Sequence, residues 1–117
     1  MKKRVSILGS GISGIGAAIL AKEKGYDVFV SDINKINSKA KNKLDSISIP
    51  WEENNHSYNH LKKSDLIIKS PGISNESEIV VKLRNSNVDI ISEIEFASLY
   101  TNAFIIGITG SNGKTTT

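Results

Sequence analysis

The sequence contains no cysteine, two prolines, one methionine and one tryptophan. Without cysteine there can be no disulfide, no thiolate metal site and no cysteine nucleophile. Aromatic residues make up only 6% of the chain, and the lysine-rich stretches NKINSKAKNK (Asn34 to Lys43) and HLKK (His60 to Lys63) carry none interleaved. With a net charge of only +3, those lysines read as solvated helix faces or loops rather than as a nucleic-acid patch. Long apolar runs are missing too: FII at Phe104 to Ile106 falls far short of the ~20 residues that cross a bilayer. The basic start MKKR leads into a glycine-rich loop and then AKEKG, not into a cleavage site, so a secretory leader is not expected. No membrane and no nucleic acid are expected as partners, and the expected location is the cytoplasm.

What is present is an ordinary globular mixture, 38% apolar and 23% charged over 117 residues, enough for one domain with a buried core and too short for two. Apolar, β-branched runs alternate with amphipathic stretches, as in β/α units that build a parallel sheet. The expected strands are RVSIL (Arg4 to Leu8), DVFVS (Asp27 to Ser31), DLIIKS (Asp65 to Ser70), VDIIS (Val88 to Ser92) and AFIIGIT (Ala103 to Thr109), with ISIPW as a short edge strand because of Pro50. Helices are expected from about Ile12 to Lys24, stopped by Gly25, and near Ser38 to Leu44, Glu76 to Asn85 and Glu93 to Thr101. The fold class that follows is α/β: a Rossmann-like, doubly wound, mainly parallel sheet with helices on both faces.

Two glycine-rich turns carry the chemistry. GSGISG places Gly9, Gly11 and Gly14 between a strand and a helix, with Asp32 at the end of the next strand. The glycines allow a tight turn, approach of a phosphate to the backbone and close helix–strand packing. The first amides of the helix, near Ile12 and Ser13, then favour an anion. Spacing alone leaves NAD and other nucleotides open, with Asp32 as the carboxylate that would hold a ribose hydroxyl. SPG at Ser70 to Gly72 lies at a strand's carboxyl end, where a glycine lets a flat ring reach the backbone; by itself it is an ordinary Pro-Gly turn. At the other end, GSNGKT (Gly110, Ser111, Asn112, Gly113, Lys114, Thr115) and Thr116 follow a strand. Backbone amides there would cradle phosphate, Lys114 would supply a charge to the outer phosphates and Thr115 a hydroxyl to Mg²⁺. The histidine pair His56 and His60, in EENNHSYNH, lacks further ligands for zinc and reads as solvated loop. Trp51 reads as a satellite core anchor.

In their order and separations, GSGISGIG, VSD, SPGI, SEIEF and GITGSNGKTTT resemble the N-terminal part of the Mur ligases, in the branch that adds D-glutamate. The resemblance implies a first domain over 1–102 that binds the uridine diphosphate substrate UDP-N-acetylmuramoyl-L-alanine. Residues 103–117 would then be the first strand and phosphate loop of a central ATPase domain. Gly11 and the amides of Ile12 and Ser13 would face the diphosphate, Asp32 and Ile33 the uracil edge, and Gly72 one face of that ring. Where relatives often carry an arginine over the other face, this chain has Asn34. The implied reaction uses ATP and Mg²⁺: the substrate carboxylate takes the γ-phosphoryl group, the D-glutamate amine attacks the acyl phosphate, and phosphate leaves, with Lys114 and Thr115 as catalytic residues. The chain alone is expected to turn over no ATP. The competing reading is a regulatory NAD-binding Rossmann domain, which leaves GSNGKT unexplained.

Overall fold

A computed structural model describes residues 3–100. Five strands, β1 (Arg4–Leu8), β2 (Asp27–Ser31), β3 (Trp51–Glu52), β4 (Leu66–Lys69) and β5 (Asp89–Ser92), alternate with five helices, α1 (Ile12–Glu23), α2 (Ser38–Ser46), α3 (Tyr58–Leu61), α4 (Glu78–Asn85) and α5 (Glu93–Ser98). The sheet order is β3-β2-β1-β4-β5, and every neighbouring pair is parallel. After β1 the chain winds outward to β2 and β3, then crosses back to β4 on the other side of β1. The loops that leave β1 and β4 therefore part company and open a crevice at the carboxyl edge.

Strand alternation feeds two separate cores. Val5 and Ile7 of β1, Val28 and Val30 of β2 and Ile68 of β4 point to one face, under Ala17, Ala18 and Ala21 of α1, Leu44 of α2 and Phe96 of α5. Leu8 and Ile67 point to the other, under Leu61 of α3 and Ile79, Val80 and Leu83 of α4. Near-continuous apolar strands buried on both faces are what a parallel sheet demands, and a doubly wound sheet with helices on both faces is what forms.

Three helices end alike. After α1, Gly25 (φ +90°) donates to Lys22 O at 3.1 Å and Tyr26 to Ala21 O at 3.1 Å, the paired bonds of a Schellman motif. Ser48 after α2 and Asn87 after α4, also at positive φ, make the same pair of bonds. At the other end of a helix, Ser92 and Glu95 form a capping box that turns β5 directly into α5.

The expected strands over 4–8 and 27–31 and the stop at Gly25 match the structure. The edge strand falls on Trp51–Glu52, just after Pro50, whose carbonyl accepts from Val30 N at 3.1 Å. Trp51 is half-buried against the first core, with its indole N–H donating to Asp45 at 3.0 Å. The stretch around His56 and His60 is not the solvated loop expected of it. It contains α3, whose Leu61 is fully buried, and the His60 ring lies 4.2 Å from that of Phe29. The expected strand over 103–109, the phosphate loop after it and the boundary near 102 lie outside the described residues.

Candidate functional site

The carboxyl edge of the sheet is built around the β1–α1 turn. Gly9 has φ +105°, which disfavours any side chain, and a Cβ there would lie 2.8 Å from Ser70 Cβ. The ends of β1 and β4 therefore meet without space for one. Gly14 presses α1 against that turn, since an added Cβ would lie 2.3 Å from the Gly9 carbonyl oxygen. Gly11 differs: it is the N-cap of α1, it offers no side-chain cap, and nothing lies within 4 Å of where its Cβ would be. Ile12, Ser13 and Gly14 have no carbonyl four residues back within the helix, so their amides stand open at the positive end of the macrodipole. Ile12 is 97% exposed.

Asp32 holds this turn from the neighbouring strand. Its Oδ2 accepts from the Ser10 amide at 2.9 Å and from the Ser10 hydroxyl at 2.6 Å, while Oδ1 accepts from the Asn34 amide at 2.9 Å. The carboxylate expected to reach a ribose hydroxyl is thus already engaged as a brace between the glycine turn and the β2 exit. Ile33 beside it is 55% exposed, and its amide has no partner among the described residues. On the β4 side, Ile73 N donates to Ser70 O at 3.0 Å to close the SPGI turn, and Lys69 Nζ donates to Ile73 O at 2.7 Å, pinning it. Gly72 needs no positive φ and has nothing within 4 Å of its missing Cβ, so its backbone presents an open, flat surface.

A cleft of about 530 Å³ runs from Ser10, Gly11 and Ile12 to Lys39 and Lys43 of α2, pairing the open amides with two cationic side chains. That is a setting for an anionic group. Among the described residues no group of three or more His, Asp or Glu side chains is placed to hold a metal ion.

Comparison with known proteins decides the family. Residues 4–79 match the family model of the MurD N-terminal domain. The chain belongs to that family. Over 115 residues it is 53% identical to UDP-N-acetylmuramoylalanine–D-glutamate ligase of Bacteroides fragilis, covering 98% of this chain and 26% of the relative. It therefore spans about a quarter of the length of the curated relatives it matches. Among solved structures, a murein peptide ligase from Psychrobacter arcticus superposes with TM-score 0.76 at 23% identity, over 85% of this chain and 21% of that one. A pseudomurein peptide ligase type C from Methanothermus fervidus does so with TM-score 0.73 at 30% identity, over 86% and 21%. Membership of the MurD N-terminal family agrees with the resemblance read from GSGISGIG, VSD, SPGI and SEIEF and removes support from the NAD-binding alternative.

Within this MurD-type domain the structure assembles Gly11, Ile12, Ser13, Asp32, Ile33 and Gly72 along one edge. Lys114, Thr115 and the rest of GSNGKTT lie outside the described residues. Two features of the same edge escaped sequence reasoning. Glu93, the first residue of α5, is buried, with Oε2 lacking a partner among the described residues. The other is a network in which Ser31 Oγ contacts Glu52 Oε2 and His56 Nδ1, both at 2.7 Å. Glu52 also accepts from the Ser57 amide at 2.8 Å and the Ser57 hydroxyl at 2.5 Å.

This network sets an acid limit on stability. Burial holds the His56 imidazole below its ordinary value of 6.5, against the opposing pull of the Glu52 and Asp32 charges. Burial pushes the Glu52 carboxyl up, but bonds from the Ser57 amide and hydroxyl and from Ser31 outweigh it, and the net shift is below 4.5. Both groups bind fewer protons folded than unfolded, so both contributions are present at high pH and lost on acidification. The melting temperature is expected to fall as pH drops below 6.5 through the folded value of His56, and again below 4.5 through that of Glu52. A thermal-melt series in wild type and His56→Asn checks this. An unchanged upper step in the variant would assign it to another group.

Proposed function

We propose that the chain is the UDP-N-acetylmuramoyl-L-alanine-binding domain of a cytoplasmic ligase that adds D-glutamate in peptidoglycan synthesis. The observation that carries the reading is the uncapped N-terminus of α1, held open behind Gly9 and Gly11 at the point where the loops leaving β1 and β4 diverge. The diphosphate would lie against the amides of Ile12 and Ser13, with the uracil near Ile33 and the open backbone of Gly72.

Asp32 would act on the ligand through the turn it braces. In the whole protein, ATP and Mg²⁺ would engage Gly110 to Thr116, with Lys114 offsetting phosphoryl charge and Thr115 contributing a hydroxyl to the metal. The substrate carboxylate would attack the γ-phosphorus with ADP leaving. The amine of D-glutamate would then attack the resulting acyl phosphate and expel phosphate. Domain one would contribute by fixing the far end of the substrate, which lowers the entropy cost of bringing the reacting carboxylate to the nucleotide.

Calorimetric titration of the chain with UDP and with NAD tests the reading. Saturable binding of UDP in preference to NAD is expected, and preferential binding of NAD overturns it.

A further inference from the structure

Two carboxylates flank the β1–α1 turn, and only one of them has partners. Asp32 accepts from the Ser10 amide, the Ser10 hydroxyl and the Asn34 amide. Glu93, the first residue of α5, makes no side-chain hydrogen bond or ion pair among the described residues, although it is only 7% exposed and its Oε2 is buried. Buried acids ordinarily have a cation or several donors around them, and a carboxylate with neither works against the fold. Packing does not explain the choice of residue, since an apolar side chain of the same length would fill the space without that penalty.

The surroundings of Glu93 point to what its charge acts on. Its Oε2 lies 3.4 Å from where a Cβ on Gly14 would stand, beside the third residue of α1. The side chain also lines a groove together with Ser13 and Gly16. The carboxylate therefore sits against the first turn of the helix whose open amides face the crevice. Helix geometry places it within roughly 11 Å of an anion held by the Ser13 amide. Gly14 between them is buried, so water screens the interaction less than it would at an open surface. Lys39 and Lys43 line the cleft on the α2 side of the turn, and neither is paired with Glu93.

We infer that Glu93 is a built-in counter-anion that holds down the affinity of the α1 N-terminus for a diphosphate. The buried Oε2 needs no contact with the ligand. Its charge opposes that of the phosphates across the first turn and offsets part of the positive end of the helix. The inference rests on the uridine diphosphate reading above and gives it a kinetic sense. The ligation proposed there changes the carboxyl end of the substrate and leaves the uridine diphosphate end intact. Affinity for the unchanged end holds substrate and product alike, so it adds nothing to the chemical step and slows release. A fixed negative charge behind the helix limits that uniform binding while keeping the amides that orient the diphosphate.

The test is titration of the chain with UDP and with uncharged uridine, in wild type, Glu93→Gln, Glu93→Met and Glu23→Gln. Glutamine keeps the shape of Glu93, and methionine keeps its length without a polar oxygen to bury, so one variant shown by circular dichroism to be folded suffices. Glu23→Gln makes the same change in net charge at the far end of α1. Both substitutions at Glu93 are expected to tighten UDP binding about ten-fold and to leave uridine affinity unchanged, with Glu23→Gln matching wild type for both. Equal gains for uridine and UDP would show a change in crevice shape and overturn the inference. An equal gain in Glu23→Gln would assign the effect to net charge and overturn it too. If wild type binds UDP and a folded Glu93 variant binds it no more tightly, the inference fails and the proposed function stands. If neither wild type nor a Glu93 variant binds UDP, the proposed function fails with it.

Discussion

Gly14→Ala is expected to destabilise the domain by about 3 kcal/mol, the upper part of the usual range for forcing atoms into a filled core. Gly16→Ala, two residues further along the same helix, is expected to stabilise it by roughly 0.5–1 kcal/mol. The new methyl at Gly14 would lie 2.3 Å from Gly9 O and 3.1 Å from Gly9 C. Those are backbone atoms with no rotamer to change, and Gly9 is itself pinned. Its amide donates to Ser31 O at 2.8 Å, and the Ser70 side chain already closes the space where its own Cβ would be. Relief would require lifting α1 off β1, which opens the core under Ala17, Ala18 and Ala21. At Gly16 nothing lies within 4 Å, so only the helix-propensity term remains. Urea denaturation of the two variants, compared at constant slope, checks the contrast. Midpoints moving in the same direction would show that α1 is not seated as tightly as described.

Local patterns were legible in the sequence because their causes are local. Alternation and β-branching mark β1 and β2, and Gly25 marks the end of α1, since a left-handed residue after a helix is a property of that residue. What was not legible depends on which strand ends lie side by side. Ser10 and Asp32 are 22 residues apart, and the reading of Asp32 as a hook for a ligand came from spacing, which cannot show that Ser10 and Asn34 also donate to the carboxylate. Ser31 and His56 are 25 residues apart. Their partnership exists because β2 and β3 pair in register at Ser31 and Glu52, a register no local signal in EENNHSYNH encodes. The four-residue α3 is too short for a helical period to show. It forms because Leu61 closes the second core and Tyr58 bonds Ser86 at the end of α4.

The engagement of Asp32 makes a distinction that binding data alone would miss. If Asp32 served only as a hook for the ligand, Asp32→Ala would weaken UDP binding and leave the free protein as stable as before. The brace predicts otherwise: Asp32→Ala is expected to cost the unliganded domain about 2–4 kcal/mol, because hydrogen bonds to a charged acceptor contribute more than neutral ones and the nearly buried Ser10 amide loses its only one. Asp32→Asn should fall between, at about 1–2 kcal/mol. Its amide oxygen can still accept from Asn34 or from Ser10, but its NH₂ cannot accept from the backbone amide on the other side. UDP affinity should decline in the same order, since the turn that presents the Ile12 and Ser13 amides would no longer be held at one separation from β2. Chemical denaturation without ligand, alongside UDP titration, separates the two roles. Unchanged stability with lost binding would return Asp32 to the hook that its spacing first suggested, and parallel losses would establish that this carboxylate recognises the ligand by holding the protein.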